Sequence, residues 1–234
     1  MTDCQKKEGE ANTASPSLIK DCNKNFIAVY DTLIAAFGPQ NWWPAEGPEE
    51  MIIGALLTQN TTWNNVEKAL TNLRLKNLLS FSAIQDTPLS EIESLIKPSG
   101  YFRQKSQRLK NLAEAIINAG GLQKLATIAT AKLREWLLDL HGVGPETADS
   151  ILLYAFERPI FVIDAYTLRI SKRHKWLPEN AGYTEAQKMF TQYLPADVPL
   201  FNEFHALFVQ IGKNFCRPNQ QKCNDCPLRA FLRP

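Results

Sequence analysis

The sequence lacks any run of about 18 apolar residues, the least a membrane-crossing helix needs, which excludes a membrane-spanning protein. It lacks an apolar core near its start: MTDCQKKEGEANTASPSL is polar, which excludes a secretory signal, and residues 1–18 are expected to be a disordered leader. Strong charge of either sign is also missing. With 26 basic and 24 acidic side chains the formal net charge is +2, so charge alone does not point to nucleic acid, and any such claim must rest on local arrangement. Period-2 alternation of strand length is absent, which leaves no sheet to build, and no internal repeat is present. Cysteines are few: Cys4 and Cys22 stand alone and Cys216, Cys223 and Cys226 cluster. Without export, clustered thiols point to metal ligation rather than disulfides, and the expected location is cytoplasmic, at the nucleoid in a bacterium.

What is present is helical rhythm. Phe26, Val29, Tyr30, Leu33 and Ile34 keep the spacing of one helix face, and Gly38-Pro39 stops it. MIIGALL (51–57) is apolar all round, as a helix buried among others must be. Helical spacing continues over 62–73, Pro88 opens a short helix to Ile96, and residues 102–117 place Leu109, Leu112, Ile116 and Ile117 on one face. Further helices are expected over 130–140, 147–156, 164–172, 184–193 and 202–215. The run IFVI (160–163) is ambiguous by periodicity but too isolated to form a sheet. The fold class is therefore all-α, with Tyr101 and Phe102 assigned to the core.

The stretch LHGVGPETA (140–148) lies between two of these helices. Gly142 and Gly144 flank Val143, and Pro145 suits the first turn of the next helix. Backbone N–H groups at such a start form an anion site without side-chain charge, although an ordinary inter-helix turn reads the same way. Eighteen residues beyond Glu146, one acid, Asp164, follows the apolar run and opens a helix. Taken alone, Asp164 is a helix N-cap.

The ordered set of LxGVGxxTA, an apolar run, then ID and an amphipathic helix resembles the endonuclease III, or HhH-GPD, superfamily of base-excision glycosylases over roughly residues 40–230. The resemblance implies a two-lobed fold: a helical barrel over 45–155 with its hairpin at about 130–155, and a second lobe from 19–44 and 156–234. It implies that the hairpin binds DNA phosphate and that Asp164 is the catalytic acid, stabilising an oxocarbenium-like sugar. In bifunctional members a lysine of this hairpin attacks C1′; here Glu146 stands in its place, and a carboxylate forms no imine, so water is the expected nucleophile. Lys172 and Lys213 remain as other amines.

The segment 41–70 is similar to the 3-methyladenine DNA glycosylase III subgroup. That likeness places Trp42, Trp43, Pro44 and Trp63 in the base pocket, where an electron-rich indole face attracts a cationic alkylated purine, and Asn60, with Gln59, in the gap left by a flipped nucleotide. Trp42, Trp43 and Trp63 read equally as packing, and Asn60 as a helix cap. Lys105 and Arg108 are candidate phosphate contacts or solvated cations, and His205 is assigned to helix packing.

Cys216-x6-Cys223-x2-Cys226 resembles the first three ligands of the family's 4Fe-4S loop (216–232), but the fourth position is Leu232. The alternatives are a cluster with an unusual fourth ligand such as Cys22, a labile or absent cluster, or zinc with a non-cysteine ligand. The expected partner is damaged double-stranded DNA, bound by a monomer away from membranes. The rival readings are an endonuclease III-like glycosylase/AP lyase for oxidised pyrimidines and a non-catalytic DNA-binding module.

Overall fold

The computed structural model describes residues 25–40, 42, 43 and 45–232; the expected leader, Cys4, Cys22 and Pro44 lie outside the described residues. Among the described residues there is no strand, only one isolated antiparallel bridge between Cys216 and Gln221. No helix among them is long and apolar enough to cross a membrane. The chain forms two compact units: the described residues of Met1–Trp42 with Ile163–Pro234, and Trp43–Val162.

The first unit opens with α1 (Phe26–Phe37), capped by the Asn25 side chain on the Ala28 N–H at 3.1 Å and ended at Gly38 in a positive-φ conformation. The chain then enters the second unit. There α2 (Pro48–Leu57) buries every residue from Ile52 to Leu57, as its unbroken apolar pattern requires. It packs on α3 (Trp63–Leu75), whose Val66, Ala69, Leu70 and Leu73 form the inward stripe. The short α4 (Phe81–Asp86) and α5 (Leu89–Ile96) follow, both resting against α6 (Phe102–Asn118). After α7 (Gly121–Ala126), α8 (Thr130–Asp139) and α9 (Pro145–Ser150) form the hairpin. Residues Ile151–Ala155 then widen into one π-helical turn that packs on α2, rather than continuing the expected α-helix.

The apolar run over 160–163 makes no strand; its members Phe161, Val162 and Ile163 are fully buried in extended chain. It delivers Asp164 to the start of α10 (Ala165–Arg173), back in the first unit. There α11 (Tyr183–Tyr193) and α12 (Val198–Asn214) complete the helices. An aromatic cluster forms this core: Phe26 on Phe190 at 4.7 Å, Phe26 edge-on to Trp176 at 5.3 Å, and Phe204 stacked on Phe208 at 4.7 Å. Gly212 lets α12 meet the Tyr166 ring of α10, since any Cβ there would overlap that ring.

Candidate active site

Hairpin geometry begins with the end of α8 at Asp139. The Val143 N–H returns to the Leu140 carbonyl at 3.0 Å, which closes a tight turn. Gly142 has φ +91°, and a Cβ on it would stand 2.5 Å from Arg108 Cδ, so the position requires glycine on both grounds. Val143 is buried, Gly144 is the exposed N-cap of α9, and Pro145 occupies the first helical position. Glu146 is exposed in that first turn, where the positive end of the helix favours an acid. One turn on, Asp149 is wholly buried and takes both Nε and Nη2 of Arg134 from α8, at 2.6 and 3.0 Å, which locks the two hairpin helices together.

Gln59 and Arg108, read from the sequence as DNA contacts, brace this hairpin. Gln59 Nε2 donates to the Gly142 carbonyl and to Thr147 Oγ1, both at 2.9 Å, and Arg108 Nη1 donates to Gln59 Oε1 at 2.8 Å. Asn60 is exposed at φ +52°, presented at the tip of the segment that follows α2, while Thr62 takes the N-cap position of α3. Lys105 requires a correction. It is 1 % exposed, and its ammonium donates to the carbonyls of Leu57 and Ser99 at 2.8 and 2.7 Å, so it is no phosphate contact. Burial, then the neighbouring charge of Arg108, pushes its pKa down to about 8. Tyr101 is also corrected: it is 65 % exposed in a left-handed conformation ahead of α6, and Phe102 is half-buried.

The tryptophans divide by environment. Trp43, 9 % exposed, stacks on Tyr154 of the π turn at 5.1 Å and meets the Trp63 ring edge-on at 5.1 Å. It adopts φ +64°, rare for a bulky residue, and its buried Nε1 finds no hydrogen-bond partner among the described residues, as happens at sites built for something other than packing. Trp42 is half-buried, edge-on to His205 at 6.3 Å, with Lys213 Nζ 5.7 Å from its ring centroid.

Asp164 is buried at the N-cap of α10, where its Oδ1 accepts the Thr167 N–H at 2.6 Å. Its Oδ2 faces His205 Nε2 of α12 at 3.5 Å. Burial alone would push the carboxyl up. The hydrogen bond and charge of His205 and the Thr167 N–H outweigh it and hold the pKa below the ordinary carboxylate value. The sequence assigned His205 to helix packing; its contact with Asp164 is not visible there because the two lie on different helices.

Cys216, Cys223 and Cys226 share one loop, and burial followed by the nearby thiols Cys216 and Cys223 raises the Cys226 thiol. Arg173 Nη1 donates to Cys216 Sγ at 3.2 Å and to the Arg217 carbonyl at 2.7 Å, while Arg169 Nε holds the Cys216 carbonyl at 2.7 Å. Among the described residues no three ligand-type side chains are arranged to hold a metal ion. Among the described residues, with Leu232 in the fourth position, three thiols are present, one short of a four-thiolate cluster.

The glycine-turned hairpin offers main-chain N–H groups to an anion, and the buried acid at a helix start is a candidate functional group. The chain matches the model of the HhH-GPD superfamily base excision DNA repair proteins over residues 53–196. It belongs to that superfamily and is a DNA glycosylase of it. A Methanocaldococcus jannaschii protein provisionally named a DNA repair glycosylase is 43 % identical over 206 residues, covering 87 % of this chain and 93 % of that one. Endonuclease III of Thermotoga maritima is 28 % identical over 182 residues, 78 % of this chain and 81 % of that one. The crystal structure of H. pylori 3-methyladenine DNA glycosylase bound to 1,N6-ethenoadenine superposes with a TM-score of 0.71 at 26 % identity, covering 82 % of this chain and 97 % of that chain.

Proposed function

We propose that this glycosylase hydrolyses the N-glycosidic bond of alkylated purines in duplex DNA, leaving an abasic site in an uncut strand. The observation that carries the chemistry is Asp164: a buried carboxylate whose Oδ1 accepts the Thr167 N–H and whose Oδ2 faces His205, with its pKa held below the ordinary carboxylate value. As the base departs, positive charge builds at C1′, and a fixed carboxylate in a partly dehydrated place stabilises it without reorganising. Asp164 also orients the attacking water. Glu146 stands where bifunctional enzymes carry a lysine, and it supplies no amine for a covalent sugar intermediate.

The hairpin's role is to hold backbone phosphate through main-chain groups at the start of α9, while Asn60, the exposed tip after α2, fills the space of the displaced nucleotide. Trp43 and Trp63, packed edge-on at 5.1 Å, receive the base. Support for an alkylated purine comes from the tryptophan pair in the sequence and from the ethenoadenine named with the H. pylori 3-methyladenine glycosylase.

The test is excision by purified protein on duplexes each carrying one lesion, scored with and without alkali. We expect release of methylated or etheno purines, strand breaks only after alkali, and no adduct on borohydride treatment. Asp164→Asn should lower the excision rate at least about 100-fold, the scale on which a lost transition-state charge contact acts. A borohydride-trapped adduct defeats the water mechanism, and full activity in Asp164→Asn defeats the role of Asp164.

A further inference from the structure

Helix α12 is an apolar helix for most of its length: Phe201, Phe204, Ala206, Leu207, Phe208, Val209 and Ile211 are all buried. His205 sits in the middle of that run, 6 % exposed. A buried imidazole on an apolar helix costs free energy that a leucine would not, so its presence calls for a polar task. Its Nε2 stands 3.5 Å from Asp164 Oδ2, the oxygen that Thr167 does not hold, and its ring is met edge-on by Trp42. Two residues earlier, Glu203 accepts the Gln40 N–H, so this one turn of α12 anchors both the segment that leads to Trp42 and the carboxylate that opens α10.

We propose that His205 is a positioning residue for Asp164: from α12 its Nε2 meets Oδ2 and fixes the plane of the carboxylate for the reaction. This rests on the reading of Asp164 as the group that acts at C1′. Thr167 holds the carboxylate from its own helix start, with its N–H on Oδ1 and its side chain close by; a contact from another helix ties the carboxylate to α12 as well. A separation of 3.5 Å is long for a hydrogen bond, and such contacts commonly tighten when substrate closes the site. Among the described residues, Tyr166 of α10 feels the Asp164 charge and carries Arg169 over its ring, Tyr183 at the start of α11 takes the Ile163 N–H on its hydroxyl at 3.5 Å, Glu203 lies two residues before His205 on α12, and Lys213 lies over Trp42.

Three variants test the assignment. His205→Leu removes the donor, His205→Gln keeps an N–H, and His205→Phe keeps a ring against Trp42 should the leucine variant fold poorly. The first readout needs no substrate: the 13C carboxyl titration of Asp164, followed by NMR in the free protein. Loss of the donor should move that titration up by at least one pH unit in the leucine or phenylalanine variant, and much less in the glutamine variant. The second is single-turnover excision from a duplex bearing one 1,N6-ethenoadenine. The rate should fall at least tenfold in His205→Leu and recover to within about threefold of wild type in His205→Gln, and its acid limb should move to higher pH when the donor is absent. An unchanged Asp164 titration in the leucine and phenylalanine variants overturns the proposal, as does a lower melting temperature with an unmoved acid limb. If Asp164→Asn retains excision while the titration still moves, it is the catalytic reading of Asp164 that fails, and the contact between His205 and Asp164 stands.

Discussion

Lys105 shows how strongly a single side chain can depart from what its spacing suggests. In sequence it lies among Arg103, Arg108 and Lys110 on a helix whose opposite face is apolar, and a solvated cation or a phosphate contact follows. In the fold its methylenes are buried and its ammonium joins two carbonyls, Leu57 at the end of α2 and Ser99 ahead of α6. A helix C-terminus offers unpaired carbonyls and negative charge, and a buried cation satisfies both. Lys105→Met fills the same space and leaves two buried carbonyls without a donor, at about 1–3 kcal/mol each, so we expect a loss of about 2–5 kcal/mol in urea unfolding at neutral pH. The pH dependence has a definite sign. The folded-state pKa of about 8 lies below the free value of 10.5, so between them the unfolded chain binds more protons and stability rises with pH. The stability of wild type relative to Lys105→Met should therefore grow as the pH goes from 8 towards 10.5. A flat difference across that window would show that the ammonium does not titrate as described.

Among the elements, the hairpin separates two glycines that look alike in sequence. Gly142 has φ +91° and no room for a Cβ beside Arg108; Gly144 has φ −93° and open space around it. Gly142→Ala should strain the turn and displace Arg108, and with it the bracket through Gln59, lowering stability by about 1–3 kcal/mol. Gly144→Ala should be neutral or stabilising by up to about 1 kcal/mol, because it removes unfolded-state freedom without strain. Urea unfolding of the two variants checks the pair, and equal losses would mean the turn is not built as described. Long helices with a clear apolar period, α1, α3, α6 and α12, were legible within a few residues of their ends. The six-residue α4 and α7 were not, because six residues do not complete two turns and show no period. Nor was the π turn at Ile151–Ala155, whose register is set by packing on α2 rather than by its own residues. At the site, Asp164 and the hairpin glycines stood out because a local motif carries them. His205 did not, because its partner is 41 positions away and only the meeting of α10 and α12 brings them together.

At the scale of the whole molecule, a net charge of +2 has to be reconciled with a DNA substrate. Counting basic residues overstates what is left for phosphate, since several already hold partners within the chain. Lys105 serves two carbonyls, Arg134 is spent on Asp149, Arg74 pairs with Glu50, and Arg169 and Arg173 hold the cysteine loop. Contacts from main-chain N–H groups and helix ends hold phosphate without displacing as many counterions as ammonium groups do, and each neutralised phosphate contributes about −0.9 to the slope of log K against log salt. If roughly three or four phosphates are neutralised by side chains, duplex affinity measured between 50 and 200 mM salt should fall with a slope of about −3 to −4. Arg108→Gln should leave that slope within about half a unit, because its guanidinium is already engaged by Gln59, while weakening binding through the hairpin it supports. A slope steeper than about −6 would require a broad cationic face, and binding would then rest on side-chain charge rather than on the backbone of the glycine turn.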